Sequence, residues 1–282
     1  MRFATVIDDG GATVAVLVDE RRILPLVGAG PGLDSVRGLA AGGQAGLRRV
    51  GEWVRQQPPR LYRSLDDVEL GPAVPDPGAI YTIGLNYGAP DDDAAGPARP
   101  LVYAKLPTSV IGHRAVVSWD RSLTANVDPE AELGVVIGDT AVAVRPEEAL
   151  QHVFGYTCIN DISSRDPWLD GDQWLLGKSF AGFCPVGPWV VTLDELGSHD
   201  LRLGCTVNGT PIQDDSTARM RHSISDVISY ISRHTVLRPG DLIATGTPAR
   251  LDGPLGPERR LQPGDEVTVW IEGIGELTTT IG

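Results

Sequence analysis

The stretch that most restricts this chain is Val127-Asp-Pro-Glu-Ala-Glu-Leu-Gly-Val-Val-Ile-Gly138. It reads as a strand that begins with two acids and then becomes wholly apolar, as a buried core strand does. Side chains alternate along a strand, so Glu130 and Glu132 point to one face. Two like charges beside a buried run need a counter-charge, because burying them unpaired is expensive. A metal ion would supply it. A strand start whose acids stay in solvent is the bland alternative, and spacing alone leaves it open.

The rest of the chain suits a mostly β protein of the α+β kind. Gly (34) and Pro (22) make up about a fifth of the 282 residues, above ordinary usage, and favour turns and short strands over long helices. β-rich runs are expected at Arg2–Asp8, Thr13–Val18, Arg22–Pro25, Ile80–Ile83, Leu101–Lys105, Glu130–Ile137 and Gly155–Asn160. Others are expected at Trp189–Thr192, Leu201–Val207, Asp241–Thr245 and Glu266–Ile271. Helices are expected over about Leu33 to Gln57, over Pro146–Val153 with acids in its first turn, and over Ser223 to His234 behind a capping-box-like start. The rigid segment Gly71-Pro-Ala-Val-Pro-Asp-Pro-Gly78 is the best candidate boundary. It would part a small N-terminal domain, residues 1–72, from a larger one, residues 73–282. Gly28-Ala-Gly30-Pro-Gly-Leu33 imitates a dinucleotide loop, but Leu33 replaces the third glycine and no βαβ alternation follows.

Charge narrows the partners. A formal charge of −13 argues against nucleic acid and anionic membranes. An anionic substrate would have to meet a metal or a few placed cations. The three cysteines, Cys158, Cys184 and Cys205, are widely spaced and odd in number, which does not suit a disulfide framework. No run reaches the roughly 18 apolar residues of a spanning helix, and the N-terminus has acids where a signal peptide needs its apolar run. A cytoplasmic protein is expected.

Further chemistry follows downstream. A β-rich run ends in Asn160-Asp161, and a polar loop with Arg165 and Asp166 comes next. Asp161 is a candidate third oxygen ligand, and an all-oxygen set points to Mg²⁺, Mn²⁺ or Ca²⁺ rather than zinc. Lys178 stands alone in a Gly-rich apolar stretch, where it could neutralise an anionic substrate or a developing enolate. The turn Thr245-Gly-Thr-Pro248 offers N–H and hydroxyl donors to a carboxylate.

Taken in order, Gly84-Leu-Asn-Tyr87, Glu130-Ala-Glu132, Asn160-Asp-Ile-Ser-Ser-Arg-Asp166, Gly177-Lys-Ser-Phe180, Gly187-Pro-Trp189, Val207-Asn-Gly209, Pro239-Gly-Asp241 and Thr245-Gly-Thr-Pro248 resemble the fumarylacetoacetate hydrolase superfamily. The resemblance implies that family's mixed β-sandwich roll as the catalytic domain, a small N-terminal α/β domain and a homodimer. It implies a metal triad of Glu130, Glu132 and Asp161 holding Mg²⁺ or Mn²⁺, with Ca²⁺ also admissible. Lys178 and Arg165 would serve catalysis, and Thr247, Gly246, Tyr87 and Asn86 would bind the substrate. That substrate would be a small carboxylate: a 2-oxo acid, an acylpyruvate or its enol. Hydrolysis of a C–C bond, decarboxylation or isomerisation would pass through a metal-bound enolate.

One departure bears on the reaction. Hydrolytic members carry a lid His and Glu where this chain has Pro90 and Asp93. Proline cannot orient or deprotonate a water, which lowers the expectation of hydrolysis. His113 is the one histidine that could stand in. A family member that has lost turnover and binds a ligand or assists assembly is the alternative.

Overall fold

The computed structural model describes residues 1–88, 96–166, 173–196, 200–251, 253 and 260–282. Pro90 and Asp93 lie outside the described residues. The strand Ala131–Ile137 is buried along its whole length and belongs to a twelve-stranded sheet. It pairs antiparallel with Val153–Asn160 on one side and with Leu242–Ala244 on the other. Beyond Leu242–Ala244 come Ile80–Gly84, in parallel, and then Leu101–Lys105 at the sheet's edge. Beyond Val153–Asn160 come Cys184–Thr192, Arg2–Asp8, Gly11–Leu17 and Arg22–Pro25.

The apolar run is buried because both faces of this sheet are covered. Leu133 and Val135 pack with Leu203, Cys205, Val267, Val269 and Leu277 of a second, five-stranded sheet. Val136 faces the other way, into a core with Val36, Leu39 and Val50. Those three belong to the helix Val36–Gln56, which is capped by the Ser35 hydroxyl and interrupted at Gly43. A positive φ of 49° at Gly43, tolerable without a side chain, breaks the single helix expected there. The helix Ile224–Ser232 has the capping box that its sequence suggested, with Ser223 and Asp226 bonding reciprocally.

The fold is mostly β, as expected. The rigid connector, expected as a boundary, joins segments that pack together. Arg2 and Phe3 pair with Val191 and Val190, so the first strand extends the main sheet. Phe3 is fully buried and stacks on Phe154 at 5.9 Å. Val14, Leu24 and Leu39 share one core with Ile80, Val186 and Leu242. Residues before and after the connector therefore bury a common apolar surface.

The three cysteines are free and buried. Among the described residues no helix is long and apolar enough to cross a membrane.

The shared core makes a stability prediction. Phe3→Ala should lower the unfolding free energy by about 3–5 kcal/mol within a single urea transition. Two separate transitions, with only the first one moved, would show instead that the N-terminal segment folds by itself.

Candidate metal centre

Strand register brings three acids together. Ala131 sits opposite Asn160, so the residues just outside that pair, Glu130 and Asp161, also face each other. The Asp161 N–H donates to the Glu130 carbonyl at 2.9 Å, and the Asn160 side chain accepts from the Glu130 N–H at 3.0 Å. Glu132 lies two residues along the same strand. Carboxylate oxygens of Glu130, Glu132 and Asp161 lie within 4.8 Å of one another, and all three side chains are buried.

Cations surround two of the three. Lys178, at the end of the short helix Trp174–Lys178, donates to Asp161 at 2.5 Å, to Ser163 at 2.8 Å and to Glu130 at 3.0 Å. Lys105, 2% exposed, donates to the other Asp161 oxygen at 2.6 Å and to the Ile162 carbonyl at 3.1 Å. Arg165 donates to Glu130. Burial alone would raise Asp161, but the two lysines hold its carboxyl below the ordinary range. Burial works against the Lys178 ammonium, yet Asp161, Glu130 and Glu132 outweigh it, so Lys178 keeps its proton more tightly than usual.

Glu132 differs. Its carboxylate accepts the Gly246 N–H at 2.8 Å, and among the described residues it has no ion pair with a lysine or arginine. Burial, with Asp161 and Glu130 adding repulsion, pushes its carboxyl well above the usual range. The Lys178 charge also acts on Glu132, but it does not offset burial and the two acid neighbours. A divalent cation between the three acids would supply the remaining positive charge, and the all-oxygen donor set suits Mg²⁺, Mn²⁺ or Ca²⁺. The residues present therefore fit a metal ion.

The acids open into a cavity of about 430 Å³. Tyr87, Arg165, Lys178 and Thr247 line it, with Asp128, Gln213 and Arg250. The Thr247 hydroxyl oxygen accepts from Gln213 Nε2 at 2.7 Å. Among the described residues the hydroxyl hydrogen has no acceptor, so it can serve a ligand. The Tyr87 hydroxyl is buried without a hydrogen-bond partner among the described residues, and burial, then Glu132 and Asp215, push its ionisation upward. It is a neutral donor. Asp128 holds both arginines, Arg250 at 2.5 Å and Arg165 at 3.7 Å.

Two residues expected to bind substrate instead support the frame. The Asn86 amide donates to the Thr245 carbonyl at 2.7 Å and the His222 carbonyl at 3.1 Å, and accepts the His222 N–H at 2.9 Å. Gly246 gives its N–H to Glu132. Its φ of +99° and an added Cβ's approach of 2.6 Å to Asn86 Cβ require glycine there.

His113 is not brought to the acids. It lines a separate cleft with Arg114, Trp189 and Glu276, and its Nδ1 accepts the Thr278 N–H at 3.2 Å. Its place near the site was inferred from its position in the sequence alone, and it is not among the described residues that line the acidic cavity. Lys105, Asp128, Arg250 and Gln213 were not singled out from the sequence. A lysine closing the strand-like run Leu101–Lys105 was the one local signal for any of them.

A family model described as fumarylacetoacetate (FAA) hydrolase C-terminal matches residues 79–282. The chain belongs to the fumarylacetoacetate hydrolase family. An uncharacterized protein of Staphylococcus haemolyticus is 39% identical over 220 residues, 77% of this chain and 73% of that protein. A fumarylacetoacetate hydrolase from psychrophilic Exiguobacterium antarcticum is similar over all of this chain and 99% of its own, with TM-score 0.86 and 32% identity. A maleylpyruvate hydrolase from Sphingobium sp. SYK-6, solved with manganese(II) and pyruvate, aligns over all of this chain and 98% of its own, with TM-score 0.80 and 28% identity. A 2-hydroxyhepta-2,4-diene-1,7-dioate isomerase from Mycobacterium marinum also covers the whole chain and 98% of its own, with TM-score 0.77 and 28% identity. The family thus includes both hydrolases and isomerases.

Two measurements test these assignments. Lys105→Met removes one partner of a buried pair and should destabilise the protein by about 3–5 kcal/mol, read by urea unfolding. His113, lowered to about 4 by burial and by Arg114, is neutral in the fold over the range where the unfolded chain protonates. Its contribution is fully present above about pH 6.5 and fades as pH falls towards 4. The melting temperature should fall over that window, and less so in His113→Gln. A His113 ring titrating near 6.5 by NMR would overturn the assignment.

Proposed function

We propose that this chain is a divalent-metal-dependent enzyme acting on a small carboxylate: a 2-oxo acid, an acylpyruvate or its enol. The observation that carries the reading is the buried triad, in which Glu132 has no ion pair among the described residues. Family members with manganese and pyruvate, and with isomerase chemistry, support it.

In this reading Glu130, Glu132 and Asp161 hold Mg²⁺ or Mn²⁺, and Ca²⁺ fits the same donors. The metal, when bound, supplies a Lewis acid that withdraws electrons from a carbonyl. The side chains do the rest. Lys178, fixed by three hydrogen bonds and holding its proton, faces the negative charge that develops when a bond next to the carbonyl breaks. The Thr247 hydroxyl, oriented by Gln213, donates to the substrate carboxylate. The Tyr87 hydroxyl donates to a substrate oxygen. Arg165 offsets charge at Glu130. Gly246 and Asn86 act as positioning residues, keeping Glu132 and the Thr245–Pro248 turn in place.

Pro90 favours tautomerisation, or C–C scission without an activated water, over hydrolysis. Homodimeric assembly belongs to this reading through the family resemblance.

Calorimetry should show Mg²⁺ or Mn²⁺ binding that Glu132→Ala weakens by more than about 100-fold, beyond what losing a residue behind the ligands costs. With metal, the C3 protons of pyruvate should exchange into D₂O, followed by NMR. Unchanged metal affinity in Glu132→Ala would overturn the site. Metal binding without exchange would favour a binding protein over an enzyme.

A further inference from the structure

Part of the cavity's lining has a different chemistry from the acids. Tyr103, from the edge strand Leu101–Lys105, and Trp174 pack with ring centroids 5.2 Å apart and an interplanar angle of 34°. Both line the cavity, together with Leu85 and Pro248. Trp174 opens the same short helix that Lys178 closes. Four residues of helical rise place about 6 Å along the axis between them, so both side chains leave one face of the helix a turn apart and reach the same cavity. Tyr103 lies directly on Gly84, where an added Cβ would approach its ring to 2.6 Å. Leu85 holds a φ of 55°, a region L side chains seldom adopt, and leaves its side chain 68% exposed. Folding gains little from an apolar side chain so placed, whereas a bound apolar group would cover it.

The described charges at the cavity are all paired and offer no free cation to a second anion. Among the described residues that line it, the cations are Lys178, Arg165 and Arg250. Lys178 is paired with Glu130 and Asp161, Arg165 with Glu130 and Asp128, and Arg250 with Asp128. A distal carboxylate would meet apolar rings, or arginines whose charge Asp128 and Glu130 already offset.

We infer that this cavity selects 2-oxo or enol monocarboxylates whose tail is apolar, best a flat ring, seated on Tyr103 and Trp174 beneath Leu85. The inference rests on the proposed function, which places the carboxylate and 2-oxo group at the acid triad.

The full-length protein saturated with Mg²⁺ tests it by calorimetry with three probes: pyruvate, phenylpyruvate and 2-oxoglutarate. Phenylpyruvate should bind about tenfold or more tighter than pyruvate, as filling an apolar pocket does, and 2-oxoglutarate no tighter than pyruvate. Trp174→Ala and Tyr103→Ala should bring the phenylpyruvate-to-pyruvate ratio towards one, and Tyr103→Phe, which keeps the ring, should retain it. A preference for 2-oxoglutarate, or a ratio unmoved in both alanine variants, overturns the tail assignment while leaving the metal end standing. Failure of pyruvate itself to bind with Mg²⁺ overturns the proposed function, and this inference with it.

Discussion

The pairing of Ala131 with Asn160 is the contact on which the site depends. It sets Glu130 against Asp161 at the ends of two buried strands and forces three carboxylates into a space from which water is largely excluded. Such a group is unstable by itself, because each charge has lost its hydration and gained like neighbours. Much of the surrounding architecture answers that problem. The edge strand delivers Lys105, the short helix delivers Lys178, and the loop after Asp161 delivers Arg165. The turn after Leu242–Ala244 delivers one N–H to Glu132.

That dependence also explains why the sheet is covered on both faces. If the N-terminal helix or the five-stranded sheet were absent, the strand bearing Glu132 would be solvated and its acids would behave as ordinary surface groups. Phe3, Val36 and Leu39 lie far from the acids in sequence, yet they help to close the side of the sheet that contains Val136. The N-terminal segment thus helps to bury the strand that carries the acids, although none of its described residues lines the cavity.

How much of this was legible follows from how local each signal is. Arg2–Asp8, Arg22–Pro25, Leu101–Lys105 and Glu266–Ile271 were readable to the residue, because alternation and β-branched content are local properties. The Glu130–Glu132 spacing was readable for the same reason. Thr210–Ser216 was missed: it lies at the edge of the smaller sheet, and its polar residues look like a loop. Lys105 was unreadable as a partner of Asp161, because 56 positions separate them and only the strand order joins them. His113 shows the reverse error. Closeness in sequence to site motifs suggested closeness in space, but its segment turns towards the second sheet, where Thr278 holds it. The prolines of 71–78 mark a rigid connector, but no local signal could show that Arg2–Asp8 pairs with Cys184–Thr192 across it.

Charge balance connects the acids to the ligand they could accept. Asp128, Glu130, Glu132 and Asp161 carry four negative charges when ionised, and Lys105, Lys178, Arg165 and Arg250 carry four positive ones. Protein groups alone would then be neutral, with Glu132 the member least well served. A dication shifts the group to two positive charges. A monocarboxylate brings one negative charge on binding, and breaking a bond beside its carbonyl develops a second. The balance is therefore closest when that second charge has formed, which is the condition for stabilising a transition state over a ground state. A substrate with another carboxylate would close the balance on binding and leave none of it for the reaction. The electrostatics of the acids and the apolar character of the lining at Tyr103 and Trp174 thus point to the same kind of molecule.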